Sequence, residues 1–127
     1  MSTKFLNKGG IIDSSRIVGT KVENPKGENL GKIEGLMLDL GESRILYAVL
    51  SFGGFLGMGD KLFPVPVEAM MFRYNDKGGV DKAIFDIDKD RLKDAPGYEK
   101  DNLPSWSDRT FASDVYNHYG TTPYWSE

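Results

Sequence analysis

The 127-residue chain predicts a mainly β fold: a small antiparallel sheet or barrel followed by a C-terminal extension that carries one amphipathic helix. Two observations predict it. From Arg16 onward, short apolar runs alternate with turn chemistry, in the order RIVGTKVE, NPKGEN, LGKIEGLMLDL, GES and RILYAVLSF, which is the rhythm of a small all-β domain. After Pro96 and Gly97 the composition changes, and the last thirty-one residues hold both tryptophans of the chain. The length suits one domain, able to bury roughly two-thirds of its unfolded surface.

The elements follow in order. Residues 1–15 are polar, with Gly9-Gly10 and Ser14-Ser15, and read as a loosely held N-terminal arm. The domain itself spans 16–96. In RILYAVLSF, Ile45, Tyr47 and Val49 alternate with Leu46, Ala48, Leu50 and Phe52, so both faces are apolar and the outer one requires a cover. LGKIEGLMLDL also loads both faces, and Gly35 stands where a bulge would bend the strand. Pro64 and Pro66 cannot donate ladder hydrogen bonds, so KLFPVPVEAM reads as an edge strand running into a short turn at 67–70. NDKGG is a hairpin turn, and VDKAIFDI sets Ala83, Phe85 and Ile87 against Lys82 and Asp86, the pattern of a strand with one wet face. DKDRLKDAP is a brief polar helical turn stopped by Pro96.

The extension, 97–127, holds a helix over about 107–119. At about 100° per residue, Phe111, Val115, His118 and Tyr119 form one stripe, with Ser107 or Asp108 as N-cap and Gly120 as stop. Trp106, Phe111, Tyr116, Tyr119, Tyr124 and Trp125 are more aromatic surface than a solvated tail carries. They either cover the second face of the 45–52 strand or meet another subunit or partner.

Bulk charge narrows the function. Sixteen basic and nineteen acidic residues give a net charge of −3 with both signs scattered, which argues against a nucleic-acid module. The absence of cysteine excludes disulfides, thiolate metal sites and a cysteine nucleophile. No apolar run reaches the roughly eighteen residues of a membrane span or makes a signal-peptide core. A cytoplasmic protein without membrane insertion is expected.

Three patterns invite a chemical reading. SFGGFLGMGDK packs four glycines into seven residues before a lysine, but a phosphate loop needs GxxxxGK followed by Ser or Thr. Here Asp60 takes the lysine's place, and Leu62 follows Lys61. The residues between the glycines, Phe55, Leu56 and Met58, are apolar, so the loop reads as a sharp turn whose tip is a candidate contact surface. Asp86, Asp88 and Asp90 imitate the start of a calcium loop, but its sixth position is Arg91 and its twelfth is Gly97. His118 is the only histidine, and no motif places a nucleophile or carboxylate beside it. No catalytic, cofactor-binding or metal-ligating residue is therefore assigned.

Taken together, the Gly19 opening, the Gly27-Glu28 turn with Leu30-Gly31, the Leu36–Asp39 strand end, the Tyr47–Leu50 strand, the GGFLGMG loop and Pro64-Val65-Pro66 resemble the PRC-barrel family. That family includes the cytoplasmic domain of the photosynthetic reaction-centre H subunit and the C-terminal domain of the ribosome maturation factor. The resemblance covers about residues 15–96, and YGTTPYW is similar to tails of stand-alone bacterial members. It implies a small, strongly bent antiparallel β-barrel that docks or assembles proteins and has no common catalytic site. The H subunit carries a membrane-spanning helix ahead of its barrel and the ribosome factor a further domain, so neither role is expected here. The expected function is a non-enzymatic interaction or assembly module with an unidentified protein partner, forming a homo-oligomer, with a dimer favoured. The alternative is a small-ligand or metal-binding protein that uses the glycine loop with Lys61, or the late aspartates.

Overall fold

The computed structural model describes residues 4–6, 11–52, 61–77, 79–99, 102 and 109–126. The strands are β1 (Lys4–Leu6), β2 (Lys21–Glu23), β3 (Asn29–Asp39), β4 (Arg44–Phe52), β5 (Lys61–Val65), β6 (Met70–Tyr74), β7 (Val80–Phe85) and β8 (Tyr98–Glu99). Two α-helices, α1 (Lys89–Lys93) and α2 (Arg109–His118), lie either side of β8 in the chain. The eight strands form one sheet in the order β1-β6-β7-β2-β3-β4-β5-β8. Among the described residues the hydrogen-bonded ladder ends at β1 and β8, so the fold is barrel-like without a closed ring.

Bulges bend the long strands. The β3–β4 register steps from Ile33↔Leu50 to Gly35↔Val49, and again from Met37↔Tyr47 to Leu38↔Ile45. The first step adds a residue to β3 at the site marked by Gly35. The second adds Leu46 to β4. Each extra residue sharpens the local twist, which wraps the sheet around a core of Val22, Leu30, Ile33, Ala48, Leu50, Phe63, Val65, Ala83 and Phe85.

The structure adds three details to these expectations. The arm expected over 1–15 contains β1, which pairs antiparallel with β6 from Lys4↔Tyr74 to Leu6↔Phe72, and a 3₁₀ turn at Ser14–Arg16 capped by Asp13. The sheet is not wholly antiparallel, because β2 runs parallel to β7 with Val22 opposite Ala83. A three-residue strand carries no sequence mark of its partner's direction. The turn at 89–93 is not only polar, since α1 seats Leu92 in the core at 0% exposure.

Turns behave as their side chains dictate. Asn24, nearly fully buried, accepts from the N–H groups of Lys26 (3.1 Å) and Glu28 (2.9 Å) and donates to the Ile87 carbonyl at 3.2 Å. It thus ties the β2–β3 turn to the chain after β7. Asn75 repeats the device in the β6–β7 hairpin, accepting from Lys77 and Gly79 N–H. Pro64 sits in β5 beyond the two residues that pair with β8, so its missing N–H breaks no ladder on that side.

Candidate functional site

The outer face of β4 is where the chain departs from a plain barrel. The bulge at Leu46 turns two consecutive side chains, Leu46 and Tyr47, toward one apolar cluster, where strict alternation would supply one. That cluster is separate from the barrel core, and the remainder of it comes from the extension: Ala112, Val115, Tyr116 and Tyr124, with Phe111, Tyr119 and Trp125 packed against them. The cover that the two-faced strand required is therefore the chain's own tail.

Helix α2 lies across this face. The expected stripe is present in Phe111, Val115 and Tyr119, and Gly120, at φ +68°, turns the chain out of the helix. The expected stripe left out two residues that the helix buries, although Tyr116 was counted among the tail aromatics. Ala112 and Tyr116, one helical turn apart, are both buried, and Tyr116 is fully so. The Tyr116 hydroxyl donates to the Leu46 carbonyl at 2.9 Å, pairing a backbone oxygen at the bulge. Burial pushes this hydroxyl's pKa upward, so it remains a donor throughout the physiological range. Tyr119 reaches past β4 to Phe85, ring centroids 5.3 Å apart.

His118 stands at the rim. Its ring Nε2 lies 3.1 Å from the Arg91 carbonyl, and the Arg91 guanidinium donates to the His118 carbonyl. The two contacts fasten α2 to α1.

The far end of the tail closes on Asp39, the last residue of β3. A 3₁₀ turn at Tyr124–Ser126 brings the Tyr124 hydroxyl to 2.5 Å from Asp39, and Arg109 donates to the same carboxylate at 3.1 Å. Arg109 also stacks over Trp125 at 4.8 Å, and Arg44 over Tyr124 at 3.9 Å. Tyr124 first, then Arg109 and the Glu42 N–H, hold the Asp39 carboxyl below the usual carboxylate range. No local motif marks Asp39, whose partners stand 70 and 85 residues away.

A carboxyl depressed in the folded chain stabilises it at every pH above its unfolded value, and that contribution disappears as pH falls through the folded value. With Trp106→Phe leaving Trp125 as the reporter, emission is expected to shift to the red between about pH 5 and pH 2. Asp39→Asn should remove that step and lower the thermal midpoint at neutral pH. A Trp125 signal flat into acid, or a step unchanged in D39N, would mean that other contacts hold the tail.

The remaining candidates are dispersed. Phe55, Leu56, Met58 and Trp106 lie outside the described residues. Lys61 begins β5 with its ammonium 5.5 Å from the Phe63 ring. Asp88 pairs with Lys26 at 3.6 Å on the surface, and Asp90 lies in the first turn of α1. A polar cleft of about 590 Å³ runs past Asp88, Asp90, Asp94 and His118. Among the described residues, no three acidic or histidine side chains converge as a metal site would require.

Comparison with known proteins adds to this geometry. A family model described as PRC-barrel domain matches residues 9–92. The chain belongs to the PRC-barrel family. PRC barrels serve in general as non-catalytic modules of protein interaction and assembly. A search of the curated proteins returns no match. The matched span takes in β2 through β7 and most of α1, so the PRC barrel ends where the aromatic extension that covers it has yet to begin. Among the described residues no helix is long and apolar enough to cross a membrane.

Proposed function

We infer that this PRC barrel is a non-enzymatic assembly protein that associates with copies of itself through the barrel, while its tail acts as a built-in cover. One observation carries the reading. Of the described tail aromatics, Tyr116 and Tyr124 are buried against the chain's own β4, at 0% and 8% exposure, and Phe111, Tyr119 and Trp125 pack beside them, so a partner is met by barrel surface outside this cluster.

Sedimentation velocity over a dilution series is expected to show a species larger than the 14.2 kDa chain that dissociates on dilution. A monomer at every concentration would remove self-association from the reading. The ligand-binding alternative is tested separately with a thermal-shift panel of nucleotides, calcium and common metabolites. A ligand at 100 times its dissociation constant adds about 2.7 kcal/mol to stability, enough to raise the melting temperature visibly. A reproducible rise with any of them would favour the alternative.

A further inference from the structure

The inference rests on self-association as read above and assigns it a surface. Strand β5 pairs with β4 only from Ala48 onward, because after Val65 the chain leaves through Pro66 into the 3₁₀ turn Val67–Ala69. Among the described residues, the first ones of β4 therefore have no strand on that flank. A groove of about 420 Å³ opens there, between Arg44 and Ile45 on one side and Val67, Glu68, Met71 and Phe72 on the other.

The groove wall and the adjoining β3–β4 hairpin expose apolar surface. Ile45 is 37% and Met71 40% exposed. Leu38, the cross-strand partner of Ile45 and so on its face, is 56% exposed. Leu40, at the adjoining hairpin tip, is more exposed still. These make up four of the six exposed large hydrophobics among the described residues, a concentration that marks a contact surface.

The charges say what fits. The groove carries one cation and one anion, Arg44 and Glu68, paired at 3.7 Å and each roughly half exposed. Their charges cancel, so a strongly acidic or strongly basic partner finds no complement there. A second copy does. Turned by a two-fold axis, it sets apolar wall on apolar wall, with Arg44 of each copy opposite Glu68 of the other, as an isologous interface requires. Arg44 is also held in place by its stack on Tyr124, which limits the entropy lost on pairing.

We propose that this groove is the face through which two copies of the chain pair. The experiment uses full-length chains in sedimentation equilibrium, with circular dichroism to establish that each variant is folded. Arg44→Glu and Glu68→Arg each place like charges across the two-fold, and each is expected to weaken the dimer by roughly tenfold or more. An equimolar mixture of the two regains the dimer, because every contact across the axis again joins opposite charges. Leu38→Asp weakens pairing, whereas Val18→Asp, at an exposed apolar residue away from the groove, leaves it unchanged. A wild-type dimer indifferent to these groove variants overturns the proposed surface and leaves self-association standing. Folded single variants that stay monomeric when mixed overturn the two-fold pairing, and a wild type monomeric throughout overturns both the surface and the self-association reading.

Discussion

Gly31→Ala is expected to cost on the order of 3 kcal/mol or more, a large part of the roughly 5–15 kcal/mol that holds a domain folded. Gly31 lies inside β3 at φ +101°, and a Cβ built there would stand 2.1 Å from the Ser51 carbonyl oxygen and 3.3 Å from the Phe52 Cβ. Two penalties add. A left-handed backbone strains any side chain larger than hydrogen. The clash is with backbone, so no rotamer change relieves it, and β3 has to move away from β4 at their junction.

A control separates the two terms. Gly27, at φ +86° in the β2–β3 turn, has open space where a methyl would stand, with nothing within 4 Å, so Gly27→Ala is expected to cost only the backbone strain, about 1 kcal/mol. Chemical denaturation of both variants should place G31A about 2 kcal/mol or more below G27A, roughly the cost of an added clash in a packed core. Equal losses would show that β3 and β4 separate easily at Gly31 and that the close approach contributes nothing.

How much of this was legible depended on how local the cause was. Alternation in RILYAVLSF showed that both faces of β4 are buried and that a cover was needed. It did not show that Leu46 and Tyr47 point the same way, because a bulge is a relation between two strands, and neither strand alone records it. The stripe of Phe111, Val115 and Tyr119 was readable from helical spacing. Tyr116, one residue and about 100° on from Val115, lies outside that narrow stripe, and became central because β4 offers a wide surface and the Leu46 carbonyl at the bulge. Asp39 entered the sequence reading only as the end of a strand. Its role rests on Arg109 and Tyr124, distant in sequence, and no spacing rule reaches that far. The parallel pairing of β2 with β7 and the three-residue β1 were hidden for the same reason, as short strands are defined by partners rather than by their own pattern.

Cutting the chain after Glu99 is expected to change the molecule more than any single substitution in the tail. The truncation uncovers Leu46 and Tyr47, which are 4% and 0% exposed with the tail in place, and leaves the Leu46 carbonyl without its Tyr116 donor. Helix α2 has ten residues, below the roughly twelve to fifteen at which an isolated helix becomes even marginal in water. Its order therefore comes from docking, and the released segment should show no helical circular dichroism as a free peptide. Point variants grade the effect. Tyr116→Phe keeps the ring and loses the hydroxyl, an expected cost of about 1 kcal/mol for the hydrogen bond plus the carbonyl left buried. Tyr116→Ala also empties the space between Tyr47, Tyr124 and Trp125 and should cost about 3–5 kcal/mol, as truncations of buried aromatics do. The truncated barrel, with its β4 face open, should aggregate at concentrations where the whole chain stays in solution. If it instead remains soluble with the melting temperature of the full chain, the tail is not the cover of β4, and the buried aromatics of α2 would have to be assigned another role.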